Sequence, residues 1–106
     1  MAEEVLLVFS TFPDVESARK IARILVEEKL AACVNLLPQI ESLYRWKGEI
    51  ESAHEVLAVV KTTIGKYQQL ELRIRALHGY EVPEIVALRP QDGLPDYLNW
   101  IVESVQ

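Results

Sequence analysis

AACVNLLPQIESLYRWKGEIESAHEVLAVVKTT, residues 31–63, is the stretch whose reading decides the fold. Ala31 to Trp46 is a long strand-like segment rich in apolar and aromatic residues, broken once by Pro38. A proline inside a strand removes a ladder donor, so it implies a bulge or an edge position. Lys47-Gly48 is a tight turn, and Glu49 to Thr63 returns as a second long strand with the core run Val56-Leu57-Ala58-Val59-Val60. Two long strands joined by so short a turn form a long hairpin.

On the N-terminal side, Val5-Leu6-Leu7-Val8-Phe9-Ser10-Thr11 is β-rich and apolar on both parities, and Phe12-Pro13 ends it. Asp14 stands where an N-cap belongs, with Glu16 in the first turn. Ala18, Ile21, Ala22 and Leu25 follow at helical spacing, with Arg19, Lys20 and Arg23 on the other side, and the helix ends near Glu28-Lys29. On the C-terminal side, Tyr67, Leu70, Ile74 and Leu77 mark a second amphipathic helix, with Gly79 as its C′ residue. Ile85-Val86-Ala87-Leu88 is a fourth strand stopped by Arg89-Pro90. Leu94, Leu98, Ile101 and Val105 predict a short terminal helix that tolerates Pro95 in its first turn. The order is β-α-β-β-α-β plus a helix: an α+β, ferredoxin-like two-layer sandwich, one domain over residues 1–106, with helices on one face of an antiparallel sheet.

Such a sheet should alternate apolar and polar residues, because its second face meets water. Here three strands are apolar on both faces: Leu6 and Val8 oppose Val5, Leu7 and Phe9, and Leu57 and Val59 oppose Val56, Ala58 and Val60. Ala32, Val34 and Leu36 likewise oppose Ala31, Cys33 and Leu37. With too few helices to cover both faces, a copy of the same chain is the simplest cover. Tyr44 and Trp46, far out on the hairpin beside Leu43, read as anchors of such an interface between copies.

Composition narrows the class. The chain has 106 residues, 50% hydrophobic and 25% charged, and no apolar run approaches the ~20 residues that cross a bilayer, so no membrane partner is expected. The net charge is −5, and residues 79–106 hold a single base, Arg89, against Glu81, Glu84, Asp92, Asp96 and Glu103. No basic stripe exists, so nucleic acid is not an expected partner; a cation suits the acidic third better. Met1-Ala2-Glu3-Glu4 is acidic and unlike a signal peptide, and a single cysteine forms no internal disulfide, so the expected compartment is a reducing cytoplasm.

Catalytic machinery is sparse. Glycines stand singly at 48, 65, 79 and 93, and no CxxC, HExxH or GxSxG occurs, so the expectation is a protein that is not an enzyme. Cys33 and His78 could form a nucleophile pair, but a cysteine in an apolar strand is usually an inert small hydrophobe. His78 lies in the last turn of a helix, where a protonated ring meets the dipole favourably. A metal reading gathers His78, Cys33 and Glu55, a donor set suited to copper or zinc, whereas the neighbours His54 and Glu55 point to opposite faces of their strand. Between helix and fourth strand, Tyr80, Glu81, Pro83 and Glu84 crowd a short connection; they are expected to line a cleft where one subunit meets the next, with His78 at its edge.

Five blocks carry a resemblance: Glu27-Glu28-Lys29-Leu30-Ala31-Ala32-Cys33-Val34-Asn35, Ser42-Leu43-Tyr44-Arg45-Trp46-Lys47-Gly48-Glu49, Val60-Lys61-Thr62-Thr63, His78-Gly79-Tyr80-Glu81-Val82-Pro83-Glu84-Ile85, and Asp96-Tyr97-Leu98-Asn99-Trp100-Ile101. In this order they resemble the CutA divalent-cation-tolerance family over essentially the whole chain. The resemblance implies a ferredoxin-like homotrimer, similar in architecture to PII signalling proteins, associated with tolerance to copper and other divalent metals and without established catalysis. It implies Cys33, Glu55 and His78 as metal residues, with Cu(II) or another divalent ion as partner and no obligatory cofactor. Gly79 stands where the family typically has proline, which frees the backbone beside His78. The alternative is a PII-like trimer binding a small ligand in its intersubunit clefts.

Overall fold

The computed structural model describes residues 4–106; the start of the acidic N-terminus, residues 1–3, lies outside the described residues. The elements follow in the expected order: β1 (Val5–Phe12), α1 (Val15–Glu27), β2 (Cys33–Trp46), β3 (Glu49–Thr63), α2 (Ile64–Leu77), β4 (Val86–Leu88) and α3 (Pro95–Ser104). The strands form one four-stranded sheet in the order β2-β3-β1-β4, antiparallel at every junction.

Local chemistry sets the boundaries. Asp14 caps α1 by accepting from the Ser17 backbone N–H at 2.8 Å, satisfying a donor that a helix start leaves without an intrahelical partner. At the other end, Leu30 N–H reaches Leu25 O and Lys29 N–H reaches Val26 O, a Schellman closure with Lys29 at φ 59 in the position glycine usually takes. Lys47 (φ 50) and Gly48 (φ 83) make a two-residue type I′ turn between β2 and β3, the handedness that suits twisted strands. Gly79 differs from expectation: it follows the C-cap His78, but among the described glycines only Gly48 has a positive φ. Helix α2 ends instead because His78 turns to extended backbone, φ −74 and ψ 142.

Pro38 marks both of the features its presence implied. Strand β2 is an edge strand, and its register with β3 slips between Leu37↔Leu57 and Ile40↔Glu55 at a bulge where Gln39 takes φ 61. The slip adds one residue to β2. Before it, Val34 and Leu36 share a face with Val60 and Ala58; after it, Ile40 and Tyr44 share the other face with Glu55 and Glu51.

That inversion matters because the two faces of the sheet differ. The first face carries Val8, Phe12, Val56, Ala58 and Val60, which pack with Ala18, Ile21 and Leu25 of α1 and Leu70 and Ile74 of α2 in one core. Each large side chain fully buried here contributes roughly 1.5–3 kcal/mol. The second face carries Leu7, Phe9, Leu57, Val59, Val86 and Leu88. The expectation that all helices share one face is corrected by α3. Lys61, on the second face, donates to Tyr97 Oη of α3 at 2.9 Å, and Val5, Ile101 and Val105 are buried outside the main core. Helix α3 thus roofs one end of the second face, while Leu37, Val86 and Leu88 remain 43–49% exposed.

Candidate ligand cleft

The connection after α2 is anchored by the ring of His78. Its Nε2 lies 2.7 Å from Thr11 O, and its Nδ1 receives the Tyr80 backbone N–H at 3.0 Å. A carbonyl can only accept, so both bonds form together only when Nε2 carries the proton and Nδ1 is bare. The ring also stacks on Phe12, centroids 4.6 Å apart, and meets the tilted Tyr80 ring at 4.8 Å. Glycine at 79 therefore leaves His78 well held.

Tyr80 then reaches across to the hairpin, where its Oη donates to Glu55 Oε2 at 2.7 Å. Burial, and next this carboxylate, raise the Tyr80 hydroxyl above the usual phenol range. Between connection and hairpin lies an open cleft of about 790 Å³. Tyr44, Trp46 and Glu55 line it from the hairpin side, and Tyr80, Glu81, Pro83 and Glu84 from the connection. The bulge at Pro38 and Gln39 places Tyr44 and Trp46 there, on the continuation of the face that carries Glu55. Glu41, Ser42, Leu43, Thr11 and Val82 complete the lining, which contains no Lys, Arg or His.

The four connection residues read from sequence thus do share one cleft with Tyr44 and Trp46. The expected metal set is not brought together within one protomer. Cys33 pairs opposite Lys61, at the far end of β3 from Glu55, a separation of about 20 Å at strand rise. Both nitrogens of His78 are engaged. Among the described residues, no group of three His, Cys, Asp or Glu is placed to hold one metal ion. The donors within a protomer do not fit a preformed metal centre.

Thr11 and Phe12, which seat His78, escaped the sequence reading, since the Thr11 contact spans 67 residues and leaves no local signal. So did a second cluster, Lys61 over the Tyr97 ring at 5.3 Å, with Tyr97 stacked on Trp100 at 5.6 Å. Its one sequence trace is a pair of aromatics three apart on a helix.

Fold and site together define a class: a small α+β protein with one antiparallel sheet, a long hairpin, and a cleft lined by acids and aromatics. The family model described as CutA1 divalent ion tolerance protein matches residues 6–104, and the chain belongs to that family. The divalent-cation tolerance protein CutA of Thermus thermophilus is 51% identical over 102 residues, covering 96% of this chain and 97% of that protein. The chloroplastic protein CutA of Arabidopsis thaliana is 41% identical over 95% of this chain, which spans only 56% of that longer relative. Among solved structures, CutA from Xylella fastidiosa is 45% identical and superposes with a TM-score of 0.94, covering 97% of this chain and 99% of that one.

Proposed function

We propose that the chain acts in divalent-cation tolerance as a homotrimer of ferredoxin-like protomers, by binding rather than by catalysis, with the cleft between hairpin and connection lying at a subunit boundary. The βαββαβ element order and the strand order β2-β3-β1-β4 support the ferredoxin-like reading. One observation carries the assembly: the half of the second sheet face beyond α3, with Leu37, Val86 and Leu88 exposed and Tyr44 and Trp46 along its extension. Apolar surface of this kind is stabilised by a second copy. A cytoplasmic setting suits the free thiol of Cys33. Cys33 and His78 lie toward opposite ends of the strands, which argues against a nucleophile pair.

Light scattering coupled to size exclusion tests the assembly. Three times the 12.1 kDa protomer mass is expected, and a protomer mass at micromolar concentration would sink the proposal. For the metal, the soft thiolate of Cys33 is the donor with most to offer copper, while His78 is committed to holding the connection. Titration with Cu(II) should weaken in Cys33→Ser and persist in His78→Ala. Equal affinity in both variants and the parent would make the metal association indirect. The PII-like alternative gains no support from the cleft, because an anionic ligand there would face Glu41, Glu55, Glu81 and Glu84 with no counter-charge in the lining.

A further inference from the structure

We propose that the Asp92-Gly93 junction is a site of spontaneous covalent modification, where aspartate isomerises to isoaspartate and loosens the start of α3. The junction lies in the irregular segment between β4 and α3. It is the one Asp-Gly step in the sequence, and Asn-Gly does not occur. Asp92 is exposed, and its carboxylate has no hydrogen bond or ion pair among the described residues. The Gly93 N–H likewise donates to nothing among the described residues. Carboxyl carbon and amide nitrogen are therefore both free to react, on backbone that no ladder or helix fixes.

The reaction needs only water. The Gly93 nitrogen attacks Cγ of the Asp92 carboxyl group; a C–N bond forms, and a carboxyl oxygen leaves as water, taking the amide proton. The product is a cyclic succinimide. Water then opens the ring at either carbonyl. Opening at Cγ restores aspartate. Opening at the main-chain carbonyl leaves the chain running through Cγ and frees the former main-chain carbonyl as a carboxylate. One water is lost and one gained, so the mass is unchanged. Glycine favours the attack, because without a Cβ its backbone stays mobile and approachable. The fold in turn favours glycine: a Cβ at 93 would come within 2.9 Å of Leu98 Cδ2 and 3.1 Å of its Cγ, so Leu98 would have to move. The comparable residues are held by regular structure and followed by bulky neighbours. Asp14 caps α1 before Val15, Asp96 lies in α3 before Tyr97, and Asn35 and Asn99 sit in β2 and α3 before Leu36 and Trp100.

Isomerisation inserts a carbon into the backbone directly before the Gly93–Leu98 contact. The Leu98 N–H makes an early bond of the helix, to Leu94 O at 3.0 Å. Helix α3 also carries Tyr97, whose Oη accepts from Lys61. The inserted atom thus acts on the helix that roofs the second face.

The test uses the full chain in its solution assembly, aged at neutral pH in water enriched in heavy oxygen. Peptide mass spectrometry reads the label and distinguishes isoaspartate by its backbone fragments. Heavy oxygen and isoaspartate are expected to accumulate at residue 92 and not at Asp14 or Asp96. Asp92→Glu, whose longer side chain closes an imide ring far more slowly, should stay unlabelled at that position. A parent protein without label at residue 92 would overturn the proposal, and the free peptide of residues 89–95 then shows whether the fold or the dipeptide is the cause. Label spread equally over all aspartates would overturn it as well. Hydrogen exchange on the separated isoaspartyl fraction reads the effect on α3. Severalfold faster exchange over residues 95–104 is expected, and exchange equal to that of fresh protein would overturn the coupling to the helix.

Discussion

The two faces of the sheet are built from the same strands and nearly the same residue types, yet they do different things. Along β3, Val56, Ala58, Val60 and Thr62 face α1 and α2 and are 0–3% exposed, while Leu57, Val59 and Lys61, alternating with them, are only half-buried. Hydrophobicity alone does not separate the two rows; the difference lies in what covers them. The first face is closed by the chain's own helices, whereas the second is closed at one end by α3 and open toward the hairpin. The first face is thus a matter of folding, and the open part of the second is the surface on which the proposed assembly rests.

The largest test of that contrast lies on the closed face. Leu70 is fully buried, and Leu70→Ala should cost about 2–5 kcal/mol of unfolding free energy through lost transfer energy and a residual cavity, read by denaturant titration. If it cost nothing, the core would lie elsewhere. On the open side, Trp46→Ala should leave the protomer's circular dichroism unchanged and weaken assembly by about 2 kcal/mol, seen as a loss of mass on dilution. Assembly as tight as the parent's would remove Trp46 as an anchor.

A smaller effect sharpens the comparison within β1. Ser10 faces the closed side at 0% exposure, and its hydroxyl has no hydrogen-bond partner among the described residues. Ser10→Ala should therefore raise stability by about 1 kcal/mol, because it removes a desolvated polar group. A loss of stability instead would reveal a partner for that hydroxyl.

The smallest effect is a pH dependence. Tyr80 has its hydroxyl raised by burial and by Glu55. The folded state then holds that proton more tightly than the unfolded one, so the contribution is full below about pH 10 and fades as pH rises beyond it. Tyr80→Phe should flatten that alkaline decline in unfolding midpoint; an identical decline in both proteins would assign it to other groups, Lys61 among them. The Lys61 ammonium is held above its usual range by its bond to Tyr97 and loses its contribution in the same direction.

Much of this was legible in the residues. Asp14 announced its helix, Pro38 its bulge and edge, and Lys47-Gly48 its turn, because each works through local backbone geometry. The spacing of Leu98, Ile101 and Val105 predicted a helix but not which face of the sheet it would cover, since a stripe of apolar residues does not name its partner. The connection Tyr80 to Glu84 stood out by its chemical density, but its seat on Thr11 and Phe12 depends on contacts between distant parts of the chain. The expected metal set does not come together within one protomer for a similar reason. Residue type suggested copper donors, but the antiparallel register set Cys33 opposite Lys61, about 20 Å along the strand pair from Glu55.

The bulge at Pro38 and Gln39 works like a frameshift in a two-letter code. Strand residues alternate between faces with period two, and one added residue exchanges the two rows for the rest of β2 while leaving composition untouched. The base of the hairpin is therefore written in one frame, which serves the core, and its tip in the other, which sets Tyr44 and Trp46 beside Glu55. Were the bulge straightened, with Gln39 drawn into the ladder opposite Glu55, Leu43 and Arg45 would stand in their place and both aromatics would turn toward the opposite side. The tip can thus diverge in chemistry while the base keeps its packing, because a single left-handed residue separates the two messages.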